Sequence, residues 1–169
     1  VLEVDPNNVD ALYNLALTHA KAGKADQAMQ EFEKILSIKS DDQPSAYNLG
    51  ILYVKAGKDD KAIGAFKKVT QLDPNNLDAH DNLAGLYDRK GDLDSAIGEY
   101  QAILQVPGQE AGDLVWANLS GLYLKKKDIA KAREAAQKAL EINPNSAQGF
   151  YSLGAAHEYN DAGEQFGAG

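Results

Sequence analysis

VDALYNLALTHAKAGKADQAMQEFEKILSI (Val9–Ile38) is the stretch that decides the fold. Leu12, Leu15, Ala16 and His19 fall at i, i+3, i+4 and i+7, which is one face of a helix. Gly23 interrupts that pattern, as a residue that enters the left-handed region does at a helix end. Ala28, Phe32 and Ile35 then form the apolar stripe of a second helix. The segment reads as two short amphipathic helices joined by a glycine turn.

The pattern returns along the chain. Tyr13-Asn14-Leu15 recurs as Tyr47-Asn48-Leu49, 34 residues on. Asn82-Leu83 follows after another 34 residues, and Asn118-Leu119 after 36. Asp-Pro-Asn-Asn stands at Asp5–Asn8 and again at Asp73–Asn76, with Asn143-Pro144-Asn145 as a third version. A fixed period of this length marks stacked helix pairs. The two extra residues before the fourth copy fall in Pro107-Gly108-Gln109-Glu110-Ala111-Gly112, where turn formers cluster. Gly57 and Gly91 repeat the turn of Gly23, Pro74 and Pro144 separate successive pairs, and Pro44 lies in a first turn, where a missing N–H costs little. The expected helices are 9–22, 25–38, 43–56, 59–72, 77–90, 93–106, 113–126, 129–142 and 147–159.

The expected organisation follows. Residues 1–8 end the second helix of a preceding repeat; 9–42, 43–76, 77–112 and 113–146 are four full repeats. Residues 147–159 form the first helix of a partial or capping repeat, and 160–169 a disordered tail. No pair buries its apolar face alone, so neighbours must stack. The expected fold class is an all-α, right-handed α-solenoid of antiparallel helix pairs.

These residues resemble the tetratricopeptide repeat. Its pattern is a large residue, Leu-Gly, Tyr, then Ala, Phe and Pro. The second copy carries Ala46, Leu49, Gly50, Tyr53, Ala62 and Phe66. The third carries His80, Leu83, Ala84, Tyr87, Ala96 and Tyr100, and the fourth Trp116, Leu119, Ser120, Tyr123, Ala132, Ala136 and Pro144. The first has Leu12, Leu15, Ala16, His19, Ala28 and Phe32, with Ser40 where Pro is usual. A fifth begins with Phe150, Leu153, Gly154 and His157. The small residues let helices approach, and the large ones fill the gaps.

The resemblance implies a protein-interaction scaffold that binds an extended peptide in a concave groove. The implied groove residues are Tyr13, Asn14, Leu17 and Lys21; Tyr47, Asn48, Ile51, Val54 and Lys55; Asp81, Asn82, Gly85 and Arg89; and Asn118, Gly121, Leu124 and Lys125. Within this set Asn14, Asn48, Asn82 and Asn118 form a ladder. An amide both donates and accepts, so it can pair with a peptide bond; bonding between neighbouring helices is the alternative. Lys21, Lys55, Arg89 and Lys125 form a basic stripe that suits acidic residues of a partner. The alternative is a favourable interaction with the negative helix end. Tyr13, Tyr47, Leu17 and Ile51 make the early groove apolar, unless the tyrosines pack on neighbouring helices. Some co-chaperone relatives clamp a C-terminal carboxylate with basic side chains. Here Tyr13, Leu17, Asn48, Asp78 and Asn82 occupy those positions, and only the asparagines agree.

Composition narrows the function. A net charge of −8 opposes nucleic acid as the main partner, since that binding rests on neutralised phosphates. No apolar run reaches the roughly 18 residues of a membrane span, so direct membrane insertion is not expected. There is no cysteine, so disulfides and thiol chemistry are excluded. The compartment stays open, with the cytoplasm preferred. His19, His80 and His157 fall on core aromatic positions without metal-ligand spacing. No nucleophile elbow, catalytic carboxylate pair or phosphate loop stands out. The expectation is no metal, no cofactor and no catalysis. Two rivals are retained. One is self-assembly into a homo-oligomer through open ends carrying Val1, Leu2, Val4, Phe150 and Leu153. The other is the non-catalytic repeat region of a larger enzyme, such as a glycosyltransferase.

Overall fold

A computed structural model describes residues 5–108 and 112–166, with side chains described through residue 158. The described residues form helices α1 (Val9–Lys21), α2 (Ala25–Ile38), α3 (Gln43–Lys55), α4 (Asp59–Leu72), α5 (Leu77–Lys90), α6 (Leu93–Leu104), α7 (Asp113–Lys125), α8 (Ile129–Ile142) and α9 (Ala147–Phe166). The fold is all-α. The chain divides within α5 into two compact units, Val1–Leu86 and Tyr87–Gly169.

Short-range chemistry places each helix end. At Asp5, Asp73 and Asn143 the side chain accepts from the backbone N–H two residues on, at 3.0, 3.1 and 3.0 Å. This Asx turn reverses the chain through the proline. Asn8 and Asn76 then cap α1 and α5, accepting from Ala11 N and Ala79 N at 2.9 Å each. The repeated Asp-Pro-Asn-Asn is thus a turn followed by an N-cap. Asp42 caps α3 through Ser45 N at 3.2 Å. Burial alone would raise its pKa, but hydrogen bonds from Ser45 and Lys39 outweigh it and hold the carboxyl below its ordinary range.

Inside the first three pairs, Gly23, Gly57 and Gly91 adopt positive φ of 74°, 67° and 77°. The fourth pair puts Lys127 in this conformation, at φ 61°. The turn is the same in all four. Lys24, Lys58, Asp92 and Asp128 donate their N–H to the carbonyls of His19, Tyr53, Tyr87 and Tyr123 at 2.9 Å, closing the helix C-terminus.

In the first unit, Leu12 and Ala16 of α1 are buried with Ala28, Phe32 and Ile35 of α2. Ala46, Leu49 and Tyr53 of α3 are buried likewise with Ala62, Phe66 and Val69 of α4. A Cβ on Gly50 would lie 2.8 Å from the Phe66 ring, so glycine is what permits this approach. The Tyr53 hydroxyl donates to Glu33 of α2. Burial first, then the Glu33 bond and charge, pushes the Tyr53 pKa far upward.

In the second unit, the fourth pair solves the same approach differently. Ser120 replaces glycine and donates to Ala132 O at 2.7 Å, while Ala136, fully buried, replaces the phenylalanine. Asn143 Nδ2 donates to Asp113 at 3.1 Å, tying the end of α8 to the start of α7.

The helix ends agree with expectation to within two residues up to α8. The last helix departs from it: α9 continues to Phe166, past the expected stop at 159. Asn160-Asp161-Ala162-Gly163 holds no proline to end it, and one glycine costs a helix only about 1 kcal/mol. The expected disordered tail is thereby corrected for residues 160–166. Residues 167–169, and Val1, Leu2 and Val4 of the expected open end, lie outside the described residues.

Candidate functional site

The predicted groove residues come from the first helix of each pair. In the first unit, α1 carries Tyr13, Asn14, Leu17 and Lys21, and α3 carries Tyr47, Asn48, Ile51 and Lys55. Asn14, Lys21 and Lys55 are exposed, and Leu17 and Ile51 are half-buried.

Tyr13 and Tyr47 are also half-buried. Their rings stand edge-on to Phe32 and Phe66, with centroids 5.6 Å apart in both pairs. Each tyrosine is therefore seated on the second helix of its own pair. Asn48 Nδ2 donates to Tyr13 Oη at 3.1 Å and to Pro44 O at 2.8 Å. A carbonyl oxygen only accepts, so the bond to Pro44 fixes which end of the amide is nitrogen. Asn82 repeats the arrangement, with Nδ2 donating to Asp78 O at 2.7 Å and its side chain bonded to the Tyr47 hydroxyl. Burial, then the charge of Asp78, raises the Tyr47 pKa, against the pull of Asn82.

Asn48 and Asn82 therefore link successive repeats. Both amide hydrogens of Asn48 are used internally, and Oδ1 is the atom left to accept. The expectation that these amides offer donor and acceptor together is corrected to an acceptor alone at Asn48. The reason is the tyrosine that precedes Asn48 and Asn82 by 35 residues. That recurrent pair was visible in the sequence and was the signal for this bond.

In the second unit, Asn118 Nδ2 donates to Tyr100 Oη at 3.0 Å. Tyr100 holds the position of Phe32 and Phe66, so a hydroxyl from the second helix of a pair here takes the part of Tyr13. A Cβ on Gly121, or on Gly85 of the first unit, would meet nothing within 4 Å.

The basic residues do not behave alike. Lys125 Nζ lies 2.6 Å from both carboxylate oxygens of Asp88, so its charge is met within its own unit. Arg89 is exposed and has interactions of its own. Lys21 and Lys55 sit in the last turns of α1 and α3, where a cation also favours the helix end. The stripe is thus not a uniform row of available cations.

The histidines divide as well. His80 is buried and its Nε2 lies 3.0 Å from Pro74 O. His19 is half-buried, and His157 is exposed, which corrects its assignment to the core. Among the described residues no three His, Cys, Asp or Glu side chains gather as metal ligands, and no helix is long and apolar enough to cross a membrane. Phe150 is 58% exposed and Tyr151 73%, leaving an apolar surface on α9.

These features define an all-α protein of the helix-pair repeat class. Models of the tetratricopeptide repeat match residues 1–30, 47–113 and 114–146. The chain belongs to the tetratricopeptide repeat family. Comparison with curated protein sequences returns no match. Among solved structures, the chain is similar to MamA, with TM-score 0.82 and 21% identity over 93% of this chain and 85% of that one. MamA of Desulfovibrio magneticus RS-1, from residue 41 to its end, gives TM-score 0.78 and 20% identity over 93% and 88%. YrrB, described as a tetratricopeptide protein with an unusual peptide-binding site, gives 0.79 and 17% over 95% and 81%. At these identities the likeness speaks to the fold, which is of the solenoid class.

Proposed function

We propose that the chain is a protein-interaction scaffold, and that its first unit holds an extended partner segment along α1, α3 and the start of α5. The observation that carries this reading is the anchoring of Asn48. Two internal hydrogen bonds hold its amide in one orientation, so its oxygen is preorganised to accept from a partner's backbone N–H. Preorganisation raises affinity by removing an ordering cost. Asn82 is held likewise, and Asn14 is exposed on the same register. Leu17 and Ile51 supply apolar contact, and Lys21 and Lys55 favour acidic partner residues. Tyr13 and Tyr47 act by positioning the asparagines. Asn118, Arg89 and Lys125 are the corresponding positions of the second unit. YrrB's peptide-binding site offers a precedent within the same fold.

Selection of displayed peptides against the chain tests this. Selected peptides should lose about two- to tenfold in affinity on Asn48→Ala, the worth of one hydrogen bond, and more when Ile51→Ser is added. Helicity should be retained. Peptides that bind both variants as well as the parent would remove this face from consideration.

A further inference from the structure

The second unit carries a pocket on a different surface. It is about 190 Å³ in volume and opens between α6 and α8, the second helices of two successive pairs, with α7 beneath. Trp116, Leu119 and Tyr123 project into it from α7 at i, i+3 and i+7. Leu104 and Ala135 line the two sides. An apolar cavity of about 150 Å³ holds one benzene ring, and drug-sized ligands need about 300–1,000 Å³. The pocket thus takes one side chain.

Its rim is charged in a definite order. Along α8 come Lys131, Glu134 and Lys138, at i, i+3 and i+7. Lys138 Nζ lies 4.4 Å from the centroid of the Trp116 ring, and Lys131 Nζ 5.6 Å from that of Tyr123. Seven residues of helix place the two lysine backbone positions about 10.5 Å apart along α8. A chain extended as polyproline II covers about that distance in three residues at about 3.1 Å each, and returns its side chains to the same face every third residue. Glu134 between them repels a central anion. Lys138 meets Glu134 at 3.5 Å and Lys131 meets Asp128 at 3.2 Å; such exposed pairs contribute little and yield readily to a new partner.

We propose that this pocket is a second peptide site, which receives one aromatic or large apolar side chain of an extended partner segment with an acidic residue on each side, three positions apart. The partner's acid–neutral–acid order complements the base–acid–base order of α8. The positions of this pocket correspond in the first unit to Ala46, fully buried, in place of Trp116, and Glu33 in place of Gln101. Tyr53 and Lys61 keep the places of Tyr123 and Lys131 there, so it is the tryptophan wall that belongs to the fourth repeat. The site is separate from the α1–α3 face, and its failure would leave the reading of that face intact.

The test uses acetyl-Gly-Glu-Phe-Ser-Glu-Gly-amide, read by the fluorescence of Trp116, the chain's one tryptophan. A saturable change is expected, lost when alanine replaces the peptide's phenylalanine and weakened by salt. Lys131→Ala and Lys138→Ala should each weaken binding about three- to fivefold. Both lysines are exposed enough to leave folding intact, which circular dichroism checks. Asn48→Ala should have no effect. No saturable change, a response indifferent to both lysine variants, or one abolished by Asn48→Ala would overturn the proposal.

Discussion

The second and fourth repeats hold the same two helices together by different means. In the second, Phe66 fills the space above a bare Gly50 backbone. In the fourth, Ser120 and Ala136 leave no such ring, and a hydrogen bond from Ser120 to Ala132 O joins the helices instead. The helix starts differ as well. Lys24 and Lys58 precede α2 and α4 with no side-chain cap, whereas Asp92 and Asp128 cap α6 and α8 by accepting from Ser95 N and Lys131 N at 3.2 Å each. One period therefore tolerates two chemistries, provided that volume and backbone donors are satisfied.

The largest effect should come from removing the ring. Phe66→Ala should destabilise the protein by about 3–5 kcal/mol in urea unfolding. Gly50→Ser, which copies Ser120, should cost about 1–3 kcal/mol in the parent through overpacking. It should cost much less once Phe66→Ala has cleared the space, because touching residues do not act additively. Equal costs in both backgrounds would sink the close-approach account.

The caps can be exchanged. Lys58→Asp gives α4 the cap that α8 already has, and replaces a cation at a positive helix end. It should stabilise by about 1 kcal/mol, seen as a higher melting temperature. No gain would mean that the N-cap difference between the repeats carries no stability. A smaller gain is expected from Lys127→Gly, which restores to the fourth turn the residue that the first three use. The left-handed conformation costs a side chain about 1–2 kcal/mol, and glycine's extra freedom costs about 0.5–1. The net improvement should be about 0.5–1 kcal/mol, and a loss of stability would show that Lys127 makes a compensating contact.

Most of the fold was legible because its determinants are local. Leu12-x-x-Leu15-Ala16 is a helix face whatever it packs on, Gly23 ends a helix by its own backbone freedom, and Asp73-Pro74-Asn75-Asn76 is a turn and a cap within four residues. The end of α9 was harder, since no residue there forbids helix and none demands it. The candidate site was half legible. Its positions followed from the period. Their roles did not, because a half-buried tyrosine and an amide 35 residues away meet only after two helices have packed.

By itself the sequence determined the helix-pair period, the helix boundaries through α8 and the family, since these rest on spacing and on residues that act on their own neighbours. Tertiary structure alone decided that Asn48 spends both donors on Tyr13 and Pro44, that Lys125 is matched by Asp88, and that Trp116 walls a pocket under Lys138. Apart from the Asn48–Pro44 bond inside α3, each of those depends on distances between helices, which spacing along the chain can hint at but does not set.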